Sequence, residues 1–471
     1  MEKEDPKKTA LFESLPIPKA VMQLAIPTVI SSLVMVLYNL ADTYFVGMLN
    51  APIQTAAVTL AAPVLLAFNA VNNLFGVGSS SMMSRALGRR DYESVRRSSA
   101  FGFYCALFFG LLFSVLCTVG LNPLLILLGA DANTMDATAG YLRWTVLLGA
   151  APAILNVVMA YMVRSEGSSL HASIGTMSGC LLNIILDPIF ILPWGFDMGA
   201  AGAGLATFLS NCAACVYFFV LLRVRRKTTF VCINPKKFSF QKYIVLGVCG
   251  VGIPAAIQNL LNVTGMTILN NFTSSYGAQA VAAMGITQKI NMVPLQVAMG
   301  FSQGIMPLIS YNYASGNHRR MKETIFFTIK TLLPFLVVVS LGYFAGAGVL
   351  TRAFMDNEAI VAYGTKFLRG FCLGLPFLCM DFLAVGVFQA VGMGKAALSF
   401  AILRKIVLEI PALYLLNSLF PLYGLSYAQL VAELVLSIAS VIMLARIFRR
   451  MQREDGALRE GAEGGSSSYG K

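Results

Sequence analysis

LAIPTVISSLVMVLYNLADTYFV, residues Leu24–Val46, carries a single charge, Asp42, along its whole length. An α-helix rises about 1.5 Å per residue, so about 20 apolar residues cross the hydrocarbon core of a bilayer. The stretch therefore reads as a membrane-spanning helix. Phe101–Val119, Ile174–Leu192 and Leu430–Ala445 read the same way, and such runs recur along the 471-residue chain with charge mostly between them. Hydrophobic residues make up 57% of the chain and charged ones 12%, against about 25% charged in soluble proteins. No soluble core absorbs that many apolar helices. The fold class that follows is an all-α integral membrane protein.

Twelve transmembrane helices are predicted, at residues 20–46, 55–87, 95–119, 135–165, 168–192 and 198–225, then 240–272, 279–313, 321–346, 357–391, 395–418 and 423–450. A net charge of +13 is compatible with a nucleic-acid partner, but the positions of the charges exclude that reading. Arg85, Arg89, Arg90, Arg96 and Arg97 flank the second connection; Arg223, Arg225, Arg226, Lys227, Lys236 and Lys237 fill the sixth. Arg319, Arg320 and Lys322 mark the eighth, and Arg446, Arg449, Arg450 and Arg453 follow the last helix. Gly47–Gln54, Gly120–Asp136, Pro193–Gly199, Phe272–Ala280 and Ser418–Gly424 hold no Lys or Arg, and Arg352 is alone in the ninth connection. By the positive-inside rule, the even connections and both termini are expected in the cytoplasm. The polar start Met1–Ser14 offers no small-residue cleavage site, so no removable signal is expected.

The chain repeats itself weakly at a period of about 225 residues. PTVI at Pro27 matches PAAI at Pro254, Gly76 and Gly88 match Gly304 and Gly316 at one offset, and GAGLAT at Gly202 matches GLSYAQ at Gly424. Two pseudo-symmetric six-helix bundles follow, related by an axis along the membrane normal, as in transporters whose lobes rock about a central site. The expected organisation is a cytoplasmic segment 1–19, an N-lobe 20–225, a basic linker 226–239, a C-lobe 240–450 and a disordered tail 451–471. The nine cysteines sit mostly within helices, and Cys212 and Cys215 form a C-x-x-C inside an apolar one. Packing explains them better than redox or metal chemistry. His171 and His318 are the only histidines and lie at different connections, which leaves no His-based metal site.

A charge at mid-bilayer costs several kcal/mol, on the order of 3 on insertion scales, so each one present needs a reason. In the first half only Asp42 and Asp187 lie well inside helices, both near the outer ends of outward-running ones. Asn183 is four residues before Asp187 and shares its helix face, and Pro188 interrupts the hydrogen-bond ladder one residue later. Thr207, from the sixth helix, adds a hydroxyl to this set. Carboxylates, an amide, a hydroxyl and freed carbonyls form an all-oxygen cluster suited to H⁺ or a hard cation such as Na⁺. Helix capping at the interface is the plainer alternative for the two aspartates. In the second half, Lys405 and Glu409 read as a buried, self-neutralising pair, with Asp381 and Glu433 as secondary candidates and Lys289 in the eighth helix. Arg164 and Glu166 are expected to be solvated at the end of the fourth helix. Tyr38, Asn39, Asn156, Met159 and Met292 are candidate cavity residues, since methionines adapt to varied apolar ligands, although a Met stripe is more often packing.

At these residues the chain resembles the MATE family, the multidrug and toxic compound extrusion transporters. The resemblance rests on Pro27, ADTYFVG from Ala41, NNLFGVGS from Asn72, NIILDPIFI from Asn183 and GAAGAGLAT from Gly199, and extends over Ser14–Arg450. It implies the prokaryotic branch, in the plasma membrane of a prokaryote, whose cation site lies in the N-lobe, at Asp42, Asn183, Asp187 and Thr207, with Pro27 at the bend of the first helix. Other branches carry a glutamate in the seventh helix; here that stretch is IQNL, with Gln258 and Asn259. Coupling is therefore expected to rest on Asp42 and Asp187.

The expected function is antiport, with H⁺ or Na⁺ exchanged for cationic drugs and dyes by alternating access of two lobes. No cofactor, no nucleic acid and no metal beyond Na⁺ are expected, and the lipid bilayer surrounds a functional monomer. A flippase for a lipid-linked oligosaccharide or peptidoglycan precursor is the alternative, and its pyrophosphate requires several cavity Arg or Lys. A duplicated receptor or scaffold is a further one. A membrane enzyme lacks a nucleophile–base or metal constellation in this sequence.

Overall fold

The computed structural model describes residues 6–49, 51–355 and 357–466, with side chains through residue 453. A short N-terminal helix, Pro6–Glu13, precedes the spans. The N-lobe consists of α1 (Ile17–Met48), α2 (Pro52–Gly88), α3 (Tyr92–Val119), α4 (Met135–Leu148 with Ala150–Ser165), α5 (Ser169–Ile191) and α6 (Gly199–Val224). The C-lobe consists of α7 (Lys242–Ser274), α8 (Ala278–Ala314), α9 (His318–Phe354), α10 (Glu358–Cys372 with Leu375–Ala390), α11 (residues 394–419) and α12 (Tyr423–Arg453, its α-helix continuing to Ser466). These are the twelve helices the sequence predicts.

Their ends follow local chemistry. Asp91, Asn317 and Asn357 cap α3, α9 and α10 by accepting hydrogen bonds from first-turn backbone N–H groups at 3.1–3.3 Å. The two halves of α10 are bent by 48°, where Gly374 and Pro376 break the ladder, and those of α4 by 51° at Gly149. Among the described residues, nine helices are long and apolar enough to span alone, and the bent pairs add two. α11 escapes that count because it carries Lys395, Arg404, Lys405 and Glu409. The last helix departs from the disordered tail expected over 451–471. Its segment RRMQREDGALRE, from Arg449, alternates charges at helical spacing and continues the turn to Ser466; residues 467–471 lie outside the described residues.

The lobes meet chiefly through α1 with α8 and α2 with α7, and between these pairs α2 also packs on α8. A twofold that exchanges α1 with α7 and α2 with α8 maps one pair onto the other. It likewise maps the α1–α5 packing onto α7–α11. Close approach depends on glycine at α2–α7, where a Cβ at Gly252 would stand 1.9 Å from the Leu74 carbonyl oxygen. Hydrogen bonds between lobes cluster in the basic half: Ser81 Oγ donates to the Gln389 carbonyl at 2.5 Å, Arg85 to the Gly247 carbonyl at 3.3 Å, and Arg89 bonds Tyr243.

The N-terminal helix crosses this same end. Phe12 stacks on Tyr311 with ring centroids 4.7 Å apart, and the Tyr311 hydroxyl donates to Glu13 at 2.6 Å. Arg320 donates to the carbonyls of Phe12, Leu11 and Leu15 at 2.7, 3.2 and 2.6 Å. On the N-lobe side Lys8 pairs with Glu166 at 2.9 Å and donates to the Thr228 carbonyl at 2.8 Å. Glu166 also accepts from Thr229 Oγ1 and the Phe230 N–H at 3.0 and 2.7 Å. Arg164 and Glu166 are therefore not solvated, as expected from sequence, but buried. The N-terminal helix and the interlobe linker close over Glu166, and Arg164 sits over the Tyr161 ring.

Candidate functional site

α5 packs between α1 and α6, and that packing assembles the site. Asp187 is 0% exposed. One helical turn earlier lies Asn183, also buried; assigned by the needs of its neighbours, its amide nitrogen faces the ionised Asp187 carboxylate and donates to both oxygens, at 2.7 and 3.1 Å. Its amide oxygen then accepts from the Thr207 hydroxyl and backbone N–H at 3.2 and 3.1 Å. Tyr38, one turn before Asp42 in the apolar stretch of α1, lies beside Thr207 and within the field of Asp42 and Asp187. Asp42 is half-buried, one turn beyond Tyr38, and makes no protein hydrogen bond among the described residues. Three helices thus contribute Tyr38 and Asp42 (α1), Asn183 and Asp187 (α5) and Thr207 (α6) to one polar cluster.

Tyr141 completes it. It is buried in α4 within the field of both aspartates. Nothing in the sequence around Tyr141 marks it out, because an aromatic in a half-apolar segment has an ordinary packing reading.

The remaining candidates separate. Met159 is 0% exposed, sealed in the N-lobe core. Asn156 donates its amide to Pro152, Ala153 and Asn211 oxygens at 2.9, 3.1 and 3.0 Å. Neither faces open space; both serve packing of α4 on α6. Asn39 is exposed and Met292 half-buried. Pro27 lies inside α1, which runs on through it.

In the C-lobe, Lys405 and Glu409 pair at 2.6 Å, both nearly buried. Arg404, the neighbour that sequence reasoning left out of this set, joins the other two acids. It reaches Glu433 at 2.5 Å and Asp381 at 3.3 Å, with Glu433 0% exposed. A π turn at Leu403–Glu409 lets Arg404 and Lys405, adjacent in sequence, serve different carboxylates. The network ties α10, α11 and α12 together and holds three acids against two bases. Gln258 of α7 accepts from Gln389 of α10 at 3.3 Å. Among the described residues, no group of three or more His, Cys, Asp or Glu is arranged to hold a metal ion.

The MatE family model matches twice, over residues 27–189 and 254–415, once in each lobe. This chain belongs to the MATE family. Multidrug export protein MepA of Staphylococcus aureus strain MRSA252 is 32% identical over 451 residues, 96% of this chain and 98% of that protein. Among solved structures, the outward-facing conformation of a multidrug resistance MATE family transporter aligns with a TM-score of 0.89 at 25% identity, covering 96% of this chain and 100% of that one. A MATE crystal structure in complex with MaL6 aligns with a TM-score of 0.89 at 26% identity, covering 95% and 99%. The twelve-helix, two-lobe architecture is the MATE fold.

Proposed function

We propose that this MATE protein is a multidrug exporter that exchanges H⁺ or Na⁺ for organic cations, working as a monomer whose two lobes alternate access. The observation that carries this reading is Asp187, fully buried in the membrane and bonded through Asn183 to Thr207. The names of its relatives support export of drugs, and the charge distribution supports a cytoplasmic basic end. In that orientation the lobes are closed toward the cytoplasm, and the aspartates lie on the outer side.

The chemistry follows from hydrogen-bond roles. An ionised Asp187 accepts from the Asn183 amide; a protonated one is itself a donor. Taking up a proton therefore obliges the Asn183–Thr207 pair to rearrange, and Tyr38 and Asp42, which lie beside it, pass that change to α1, which packs on the other lobe. A Na⁺ ion bound by the Asp187, Asp42 and Thr207 oxygens exerts the same bias by charge. Two ligands that shift one conformational equilibrium are coupled through it. The flippase alternative relies on Lys289, Arg404 and Lys405, and it loses ground on a specific observation: Arg404 and Lys405 are paired with Glu433, Asp381 and Glu409.

Dye efflux from vesicles carrying the purified chain, with ΔpH and ΔNa⁺ imposed separately, tests the proposal. One of the two gradients is expected to drive efflux at least tenfold above the ungated rate. Efflux that ignores both gradients refutes coupling.

A further inference from the structure

At the basic end, outside the site above, the N-terminal helix, α1, α5 and the residues just after α6 line an open cleft of about 520 Å³, a size within the roughly 300–1,000 Å³ of ligand pockets. Lys7, Lys8, His171 and Arg225 line it, and no Asp or Glu does. We infer that this cavity binds the phosphate headgroup of an acidic phospholipid in the leaflet at the basic end of the bundle.

The cations differ in what they already hold. Lys8 is engaged with Glu166 and the Thr228 carbonyl, so it shapes the wall and balances the one acid beneath it. Arg225 is half-buried and meets no carboxylate among the described residues. A guanidinium in that position presents a planar fork matched to two phosphate oxygens. His171 holds the Tyr217 hydroxyl with Nδ1 at 3.2 Å, which turns its other ring nitrogen elsewhere. The N-terminus of α5, a helix of 23 residues, opens at the same place; its N-cap Ser168 bonds none of the first-turn N–H groups, and those add partial positive charge.

The apolar surroundings select a lipid over a free anion. Leu170 on the cavity wall is 55% exposed. Gln23, also on the wall, begins an exposed strip on α1 that continues through Ile26 and Ile30 at helical spacing toward mid-membrane. A headgroup seated on Arg225 lays its acyl chains along that strip. Basic pockets between transmembrane helices at the cytoplasmic face hold anionic headgroups by this arrangement. The leaflet is cytoplasmic in the orientation proposed above. Binding measured without any gradient fails or succeeds independently of transport.

The test is lipid binding to the full-length, delipidated protein in detergent, read by native mass spectrometry and by the unfolding temperature. Phosphatidylglycerol is expected to bind and raise the unfolding temperature, and phosphatidylcholine at the same concentration to do neither. Each cation near the membrane surface contributes about fivefold in affinity. Arg225→Gln and Lys7→Gln should each lower phosphatidylglycerol affinity by about that factor, and Arg225→Lys, which keeps the charge but loses the fork, should fall between wild type and Arg225→Gln. Lys7 is exposed, so its variant keeps the test valid should Arg225→Gln fold poorly. Equal binding of the two lipids, or wild-type phosphatidylglycerol affinity in both Gln variants, overturns the proposal. Full stabilisation by inorganic phosphate alone overturns the lipid assignment by placing a soluble anion in the cavity.

Discussion

At the residue scale, the decisive pairing is Asn183 with Asp187, and its strength lies in being irreplaceable by a neutral copy. An Asp187→Asn side chain keeps the size and can be buried at lower cost than a carboxylate, yet neither takes up a proton nor balances Na⁺. Gradient-driven dye efflux is expected to fall at least a hundredfold in Asp187→Asn and in Asp42→Asn, with folded yield within about twofold of wild type. The double variant should lose little more, since members of one functional unit are not additive. Full efflux in either single variant removes these aspartates from the coupling step. The opposite behaviour is expected in the C-lobe. Arg404 sits between Glu433 and Asp381, so Arg404→Met strands two buried acids. Breaking a buried pair this way costs about 3–5 kcal/mol, and folded yield should collapse. Replacing Asp381 and Glu433 with apolar residues alongside it should restore much of that yield. Wild-type yield in Arg404→Met with transport lost would instead make the network part of the mechanism.

At the scale of helices, legibility follows how local the cause is. Spans and their bounds were readable because hydrophobic length, loop charge and caps such as Asp91 and Asn357 act within a few residues. The pairing of Asn183 and Asp187 on one face was readable for the same reason. The π turns Asn73–Val77, Arg143–Leu148 and Leu403–Glu409 were not, since packing against neighbouring helices sets their register. That is why Arg404 was missed as the partner of Glu433, and why Tyr141, beside one such turn, went unmarked. Burial of Glu166 was hidden too, because its partners Lys8 and Phe230 come from segments far away in the chain. α1 is the element on which these scales meet: it touches the site through Tyr38 and the other lobe through α8. Pro27 denies the Gln23 carbonyl its helical partner, which leaves α1 a point of give between the two. Pro27→Ala supplies the missing N–H and is expected to preserve folded yield while lowering efflux about tenfold or more. Unchanged efflux would show that α1 need not bend there.

At the scale of the whole molecule, twelve spans put both termini at the basic end, and the closure there is assembled from both lobes. Tags inserted in Pro193–Gly199 and Phe272–Ala280 are expected to be reached from outside, and tags in Arg223–Lys242 only from the cytoplasm; external labelling of the last loop contradicts the orientation. The N-terminal helix matters most to this closure. It is too short to be stable alone, since isolated helices under about 12–15 residues are marginal in water, so tertiary contacts must hold it in place. Those contacts are divided between lobes: Lys8 with Glu166 on one side, and Arg320, Tyr311 and Asn312 with the Leu11–Leu15 segment on the other. A segment anchored to both lobes stabilises only the arrangement in which both anchors are reachable, which is the state closed at the basic end. Losing it should therefore shift the equilibrium toward the state open at that end without removing any part of the proposed cation site. A cysteine placed at Ser81, buried at the lobe contact and bonded across it to Gln389, reports the change. In a variant lacking residues 1–15, or carrying Arg320→Ala, that cysteine is expected to react with a membrane-impermeant maleimide from the cytoplasmic side at least fivefold faster. Glu166→Gln, which releases the N-lobe anchor alone, should act in the same direction. Labelling rates equal to those of the intact chain in all three would mean that the lobes hold each other shut and the N-terminal helix only follows.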